Sequence, residues 1–423
     1  MDNFLTHTFS IKNHPICTLK ENFKVQYVMG LSEFMCYISK RDNRACLVLK
    51  VWASSICNSI PPSYWQCTPG FARIKKAVSL KRDGIRFFTM RRPFFFDCFY
   101  LVSKISITLL KVAYALLYEN IKDYIARRVL NDVYNNWGKP SLSKIPFQLV
   151  AHQEKDKEFL RKPLKRILVV ATMSAGKSTL INSLVGYRIN EVKNTACTSK
   201  LCYLYNKPSY DGIIVKRDDG SFLYSYAIDS QQKGEFNEAS LHFNSSLSDC
   251  RICFIDSPGT NYSENKSHGD ITRKAIASNN YEAIIFVVNS LQFNTEDEAT
   301  LRDYVIRNSQ KPILFVLNQL DRFNPEDDSI RETLDNLTKL TRTKNKTYQV
   351  VPLSAYYALL LKLSSSNCKL SRQEEIQLDS LKYQFQYDYY NLAKYCQCAN
   401  TIRNNSEIAK TGITLLENLI KTL

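Results

Sequence analysis

Apolar residues along this chain fall into two kinds of pattern. Short apolar runs, broken only at Arg251 and Gln349, occupy 167–171, 250–255, 283–288, 312–317 and 348–352, with a shorter one at 201–205. Runs of that length, rich in β-branched residues, predict strands buried on both faces. Elsewhere apolar positions recur every three or four residues. Leu180, Ile181, Leu184 and Val185 share one helical side, and Leu378, Leu381, Phe385 and Leu392 share another. Thr295-Glu296-Asp297-Glu298 and Ser371-Arg372-Gln373-Glu374 predict helix starts of the capping-box type. A last, shorter helix is expected from Ser406 to about Leu419. Strands alternating with helices predict an α/β fold with a mostly parallel sheet flanked by helices.

The first 160 residues read differently. Phe23–Val28 and Ala45–Trp52 look β-like, and Pro61-Pro62 marks a break. An apolar stretch from Phe94 to Tyr118 follows. Asp97, Lys104 and Lys111 interrupt it at intervals of seven. Each central Lys would cost roughly 2.5–3.5 kcal/mol in a bilayer, so the stretch predicts an amphipathic helix running to about Leu130 rather than a membrane span. Its seven-residue spacing places the charges on one stripe. Two readings of that helix stand side by side: a packed neck helix, or a membrane-surface helix with an aromatic face.

Charge sharpens this division. Residues 1–165 hold 27 Lys and Arg against 12 Asp and Glu, whereas the remainder is nearly balanced at 30 against 28. Arg73, Lys75, Lys76, Lys81, Arg82, Arg86, Arg91 and Arg92 face only Asp83. Whatever anionic surface the excess serves, it belongs to the N-terminal part. The 423 residues allow two domains. Thirteen Cys without a compact spacing, and no opening secretory run, point to reduced thiols in the cytoplasm. Cys250-x-x-Cys253 lacks a second pair at ligand spacing and reads as strand rather than zinc site.

Chemistry enters at the ends of the buried runs. The run 167–171 passes through Thr172-Met173-Ser174-Ala175-Gly176-Lys177-Ser178 into a helix. Strand, tight loop, Gly-Lys-Ser and helix form a phosphate-binding loop. Its backbone N–H groups from Ser174 to Thr179 face an anion, the Lys177 ammonium reaches the β/γ-phosphates, and the Ser178 hydroxyl holds Mg²⁺. The pattern begins with Ala171 where Gly is usual. Thr198, on the loop before the run 201–205, is the favoured switch residue closing on Mg²⁺, with Thr195 as the spare. Asp256-Ser257-Pro258-Gly259 ends the next strand. There Asp256 would hold the Mg²⁺ shell through water, and the Gly259 N–H would approach the γ-phosphate. Asn318-Gln319-Leu320-Asp321 follows a further strand. The Asp321 carboxylate can accept from N1 and N2 of guanine, a donor pair that adenine lacks. Gln319 stands where Lys is usual. Ser354-Ala355 ends the last strand, placing a backbone N–H near the guanine carbonyl.

Ser174–Asn182, DSPGTNYSENKSHGDIT (256–272), FVLNQLDRF (315–323) and VVPLSAYYALL (350–360) together resemble dynamin-family GTPases of the bacterial type. The resemblance covers about residues 160–360. It implies a P-loop GTPase domain at 161–362, after a basic region (1–90) and a helical segment (91–160). C-terminal helices (363–423) would pack with the N-terminal helix as a neck. It further implies GTP hydrolysis to GDP with Mg²⁺, activated when two G domains meet. Ser174 would help place the attacking water and a monovalent cation. Lys177, Thr198 and Gly259 complete the expected catalytic set. Many members carry Gln before that Ser, whereas here it is Met173. Too few residues follow Ser354-Ala355 for a full stalk, so a minimal member or a second dynamin-like subunit is expected. The anticipated setting is a cytoplasmic protein peripheral to an anionic membrane. An RNA- or assembly-associated GTPase using the basic N-terminus, and a nucleotide-binding interaction protein with little hydrolysis, are the alternatives.

Overall fold

A computed structural model describes residues 14–39, 49, 52–53, 57, 69–81, 89–137, 157–189, 200–210, 212–216, 222–225, 237–259, 266–344, 346–366, 368–396 and 406–423. The chain divides into two compact units. One contains residues 1–161, 207–227 and 240–242, the other 162–206, 228–239 and 243–423.

In the first unit, helices α1 (Glu21–Ser39), α2 (Ala72–Ser79), α3 (Arg91–Ile105), α4 (Leu109–Asn120) and α5 (Tyr124–Asn135) pack on one another. The β-like reading of Phe23–Val28 is corrected by α1. Tyr27, Val28, Leu31, Phe34 and Met35 are all buried, at helical spacing that a six-residue window is too short to reveal. The single helix expected from Phe94 to Leu130 is three helices. After α3, the Ser106 hydroxyl bonds the Thr108 hydroxyl at 2.7 Å and accepts the Thr108 N–H, a local competitor to the helical ladder. After α4, Asp123 caps α5 by accepting the Ala126 N–H at 2.6 Å.

The polar stripe does not hold either. Asp97 is fully buried, accepts from the Tyr27 hydroxyl and lies 2.9 Å from His14 Nε2, whereas Lys111 is exposed. His14 Nδ1 accepts the Ile16 N–H, so Nε2 carries the proton toward the carboxylate. Phe94, Phe95, Phe96 and Phe99 are core residues, and the aromatic face expected at a membrane is therefore closed inside the unit. A short antiparallel hairpin, β3 (Ile213–Lys216) with β4 (Phe222–Ser225), is grouped with this unit.

The second unit is built on β1 (Lys165–Ala171), β2 (Cys202–Asn206), β6 (Ile252–Asp256), β7 (Ala283–Asn289), β8 (Ile313–Asn318) and β9 (Gln349–Pro352). They lie in the order β2-β6-β1-β7-β8-β9. β2 is antiparallel to β6, and every other neighbouring pair is parallel. The fold class is thus α/β, as the run pattern predicts. Cys253 lies buried in β6, and no group of three or more metal-ligating side chains occurs among the described residues. Parallel strands leave their C-terminal ends on one side of the sheet. Ala171, Asp256, Asn289, Asn318 and Pro352 all sit at that edge.

The C-terminal helices close against this unit. α10 (Ala355–Ser365) packs on α6 (Lys177–Val185), and α11 (Arg372–Gln384) starts with the expected capping box at Ser371 and Glu374. The helix expected from Ser406 divides at Gly412, whose φ of +84° starts a new helix, α13 (Ile413–Thr422), after α12 (Glu407–Lys410). Lys362 of α10 is buried between α6 and α13. Its ammonium donates to the Ser183 carbonyl at 2.6 Å and to Glu417, which also accepts the Ser246 hydroxyl.

Removing one partner from such a pair leaves the other charge buried alone. Lys362→Met is expected to lower the unfolding free energy by about 3–5 kcal/mol in urea titrations, with Lys362→Met/Glu417→Leu recovering most of it.

Candidate functional site

The site is assembled from five strand ends. β1 runs into a loop whose backbone turns sharply at Ser174 (φ +62°) and Gly176 (φ +85°) before α6 begins at Lys177. A left-handed Ser carries a steric cost of roughly 1–2 kcal/mol, which surrounding contacts must offset. Three side chains from other strands supply those contacts. The Gln319 amide donates to the Ser174 carbonyl at 2.8 Å, and Asn289 reaches the same oxygen at 3.4 Å. Asn318 Nδ2 donates to the Ala175 carbonyl at 3.0 Å. Gly176 is required twice over, since a Cβ there would run into the Asn318 amide besides adopting a disfavoured φ.

Lys177 sits on the first turn of α6, is buried, and pairs directly with the Asp256 carboxylate at the end of β6. Ser257 is anchored behind it, its hydroxyl donating to the Val169 carbonyl of β1 at 2.8 Å. Gly259 comes alongside the loop, where a Cβ would lie 3.7 Å from Met173 Cα. Met173 is exposed, as is Ser174, while Ser178 and Thr179 are half-buried. Thr195 and Thr198 lie outside the described residues, as do 260–265.

On the far side, Asn318 accepts the Ala355 N–H at 3.0 Å. The N–H groups expected to face a guanine carbonyl are therefore engaged within the protein, that of Ala355 by the strand-end Asn and that of Ser354 by the Thr411 carbonyl. Ser354 caps α10 by accepting the Tyr357 N–H. The Asp321 carboxylate has one oxygen, Oδ1, buried without a hydrogen-bond partner. Burial pushes its pKa above the usual carboxylate value, while the Ser354 hydroxyl works against that rise. An orphaned buried acceptor is costly unless a donor fills it. N–H groups of a base would do so.

The structure thus brings together Ser174–Thr179, Asp256, Gly259, Asn318, Gln319, Asp321, Ser354 and Ala355 at one sheet edge. Asn289 joins them unannounced, because a strand-terminal Asn has no signature by itself. The donor set fits a magnesium nucleotide: a cradle of N–H groups, an ammonium, and hard oxygens from Ser178 and Asp256.

Known proteins resemble this chain over part of its length. The model of the dynamin family matches residues 167–320. A bacterial dynamin-like protein from Nostoc punctiforme is 26% identical over 214 residues, covering 45% of this chain and 29% of that protein. The GTPase Era of Haemophilus influenzae is 24% identical over 191 residues, covering 45% and 48%. The chain therefore spans less than half the length of these relatives. Among solved structures, an oligomerised bacterial dynamin pair aligns at 14% identity and TM-score 0.37, over 96% of this chain and 61% of that one. Era in complex with MgGDPNP and part of 16S ribosomal RNA aligns at 18% identity and TM-score 0.31, over 53% and 57%. Over residues 167–320 this chain is thus similar to the dynamin family of GTPases.

Proposed function

We propose that the protein binds guanine nucleotides and hydrolyses GTP to GDP and phosphate, with self-association at an anionic membrane surface. One observation carries the nucleotide reading: a phosphate-type loop leads into the Lys177–Asp256 pair and is also bonded by Gln319, two residues before the orphaned Asp321 oxygen. In the proposed reaction Lys177 exchanges its carboxylate partner for a phosphate oxygen. Asp256, so released, would be free to accept hydrogen bonds from the water shell of a bound Mg²⁺. Ser178, with Thr198 as the proposed second hydroxyl, would hold Mg²⁺, which would supply charge neutralisation for the phosphates. The N–H groups of Ser174 to Thr179 cradle the phosphates, and Gly259 senses the γ-phosphate. No strong base stands in this set, which suits phosphoryl transfer that relies on positioning. Met173 has no polar group to orient water. Ser174, with a second G domain and a monovalent cation, is the proposed substitute.

The membrane reading rests on the first unit, and on different residues from those the sequence suggested. Ile107, Val112, Tyr118, Tyr124 and Ile125 are exposed among Lys111, Lys122 and Arg128. Apolar side chains interleaved with cations suit an anionic lipid surface. No described helix is long and apolar enough to cross a membrane. A phosphate-rich RNA is the competing partner for the same cations, and a salt-titrated RNA-binding assay beside liposome sedimentation separates them.

Turnover per molecule should rise with protein concentration and rise further on anionic liposomes; a flat series in both removes the self-association step. Lys177→Ala should lower kcat/KM for GTP by roughly 10²-fold or more. Guanine recognition needs Asp321 ionised, and burial holds its pKa above the ordinary value. GDP affinity should therefore weaken on acidification, beginning at higher pH than for an exposed Asp. A calorimetric pH series, with Asp321→Ala showing no such dependence, checks this.

A further inference from the structure

The loop that carries Asp321 is held from outside the nucleotide motifs. Gln384, at the end of α11, donates its amide to the Asp321 main-chain carbonyl at 2.7 Å. Tyr390 donates its hydroxyl to the Phe323 carbonyl at 2.8 Å in the interior, and Tyr389 does the same to Asp328 at 2.7 Å. Phe385 fills the space between these contacts, packed against Tyr357 at 4.5 Å and Tyr390 at 5.6 Å between ring centroids. The neighbouring base loop is held from the same side. Ser354 donates its N–H to the Thr411 carbonyl at 3.0 Å. Gly412 lies so close to the Pro352 carbonyl that any Cβ there would collide with it. Lys410 in turn donates to the Phe385 carbonyl at 3.0 Å, joining the two gripping segments.

Backbone carbonyls, not side chains, are what Gln384 and Tyr390 hold. Such bonds fix where a loop sits without touching its functional groups. The register of Asp321 relative to the phosphate loop then depends on residues more than 60 positions downstream. Ser354, whose hydroxyl bonds Asp321, depends on Thr411 in the same way.

We propose that Gln384 and Tyr390 are positioning residues for base recognition, setting the Asp321 carboxylate against N1 and the 2-amino group of guanine. The proposal rests on the guanine-nucleotide reading above. A helix movement that loosens Gln384 would then weaken base selection while leaving the phosphate contacts in place.

The test compares GDP with inosine diphosphate, which lacks only the 2-amino group. Affinities are measured calorimetrically with Mg²⁺ for the full chain, Gln384→Ala, Tyr390→Phe and the double variant. Thermal melting runs in parallel. Losing two neutral hydrogen bonds should reduce the preference for GDP over inosine diphosphate roughly fivefold or more in the double variant. Inosine diphosphate keeps the phosphate contacts and one of the two base donors, N1–H, so its affinity should fall less than that of GDP. A preference equal to wild type, or a parallel loss for both nucleotides, overturns the positioning role. Gln384 is only half-buried, so Gln384→Ala alone carries the same test if the double variant does not fold. Wild-type protein that binds neither nucleotide would instead overturn the guanine reading, and this inference with it.

Discussion

A buried ion pair between the first turn of one helix and the tip of a neighbouring strand sets the terms for the second unit. Lys177 and Asp256 are 79 residues apart and nearly excluded from water. Neither charge could stay there alone, since an unpaired buried ion costs several kcal/mol. Their meeting requires β1 and β6 to lie side by side in parallel, as they do from Lys165 opposite Ile252 to Val169 opposite Asp256. Once those strands are adjacent, the loop after β1 and the turn after β6 converge on one point. The rest of the edge follows from adding β7, β8 and β9 in order.

Holding the phosphate loop in its left-handed turns is a task for amides rather than charges. Asn289, Asn318 and Gln319 reach two successive loop carbonyls from the ends of β7 and β8. The residue that departs most from the usual base motif, Gln319, is thereby given a concrete role. Its amide satisfies the Ser174 carbonyl, and its own backbone adopts φ +69° to do so. The same economy recurs on the far side, where Asn318 bonds both the Ala175 carbonyl and the Ala355 N–H. One side chain therefore couples the phosphate side of the site to the base side.

The strand ends were readable from sequence because their signal is local: a short apolar run, then a motif at its last residue. The α/β fold followed from the same runs. What was not readable depends on partners far apart in the chain. Asn289 gains its role only through Ser174, 115 positions earlier. Gln384 and Tyr390 bind backbone carbonyls, which carry no residue identity. In the first unit, the short window at Phe23–Val28 satisfied a strand period while the burial of Leu31 and Phe34 obeys a helical one. The sequence left the Phe94–Phe99 aromatics open between a packed face and a membrane-facing one, because cations precede them. They are interior because Tyr27 and His14 bring polar partners to Asp97 and let the whole turn be buried. The helix breaks at Ser106 and Asp123 rest on one or two side-chain hydrogen bonds each, too small a signal to outweigh a long apolar stretch.

The central claim is that a guanine nucleotide with Mg²⁺ occupies the corner between Lys177 and Asp321. Calorimetric titration of the purified full chain with GDP and with ADP, each with excess Mg²⁺, tests it most directly. The account predicts saturable binding of GDP with one site per chain and no measurable heat for ADP. Equal binding of both nucleotides, or none of either at millimolar concentration, would contradict it.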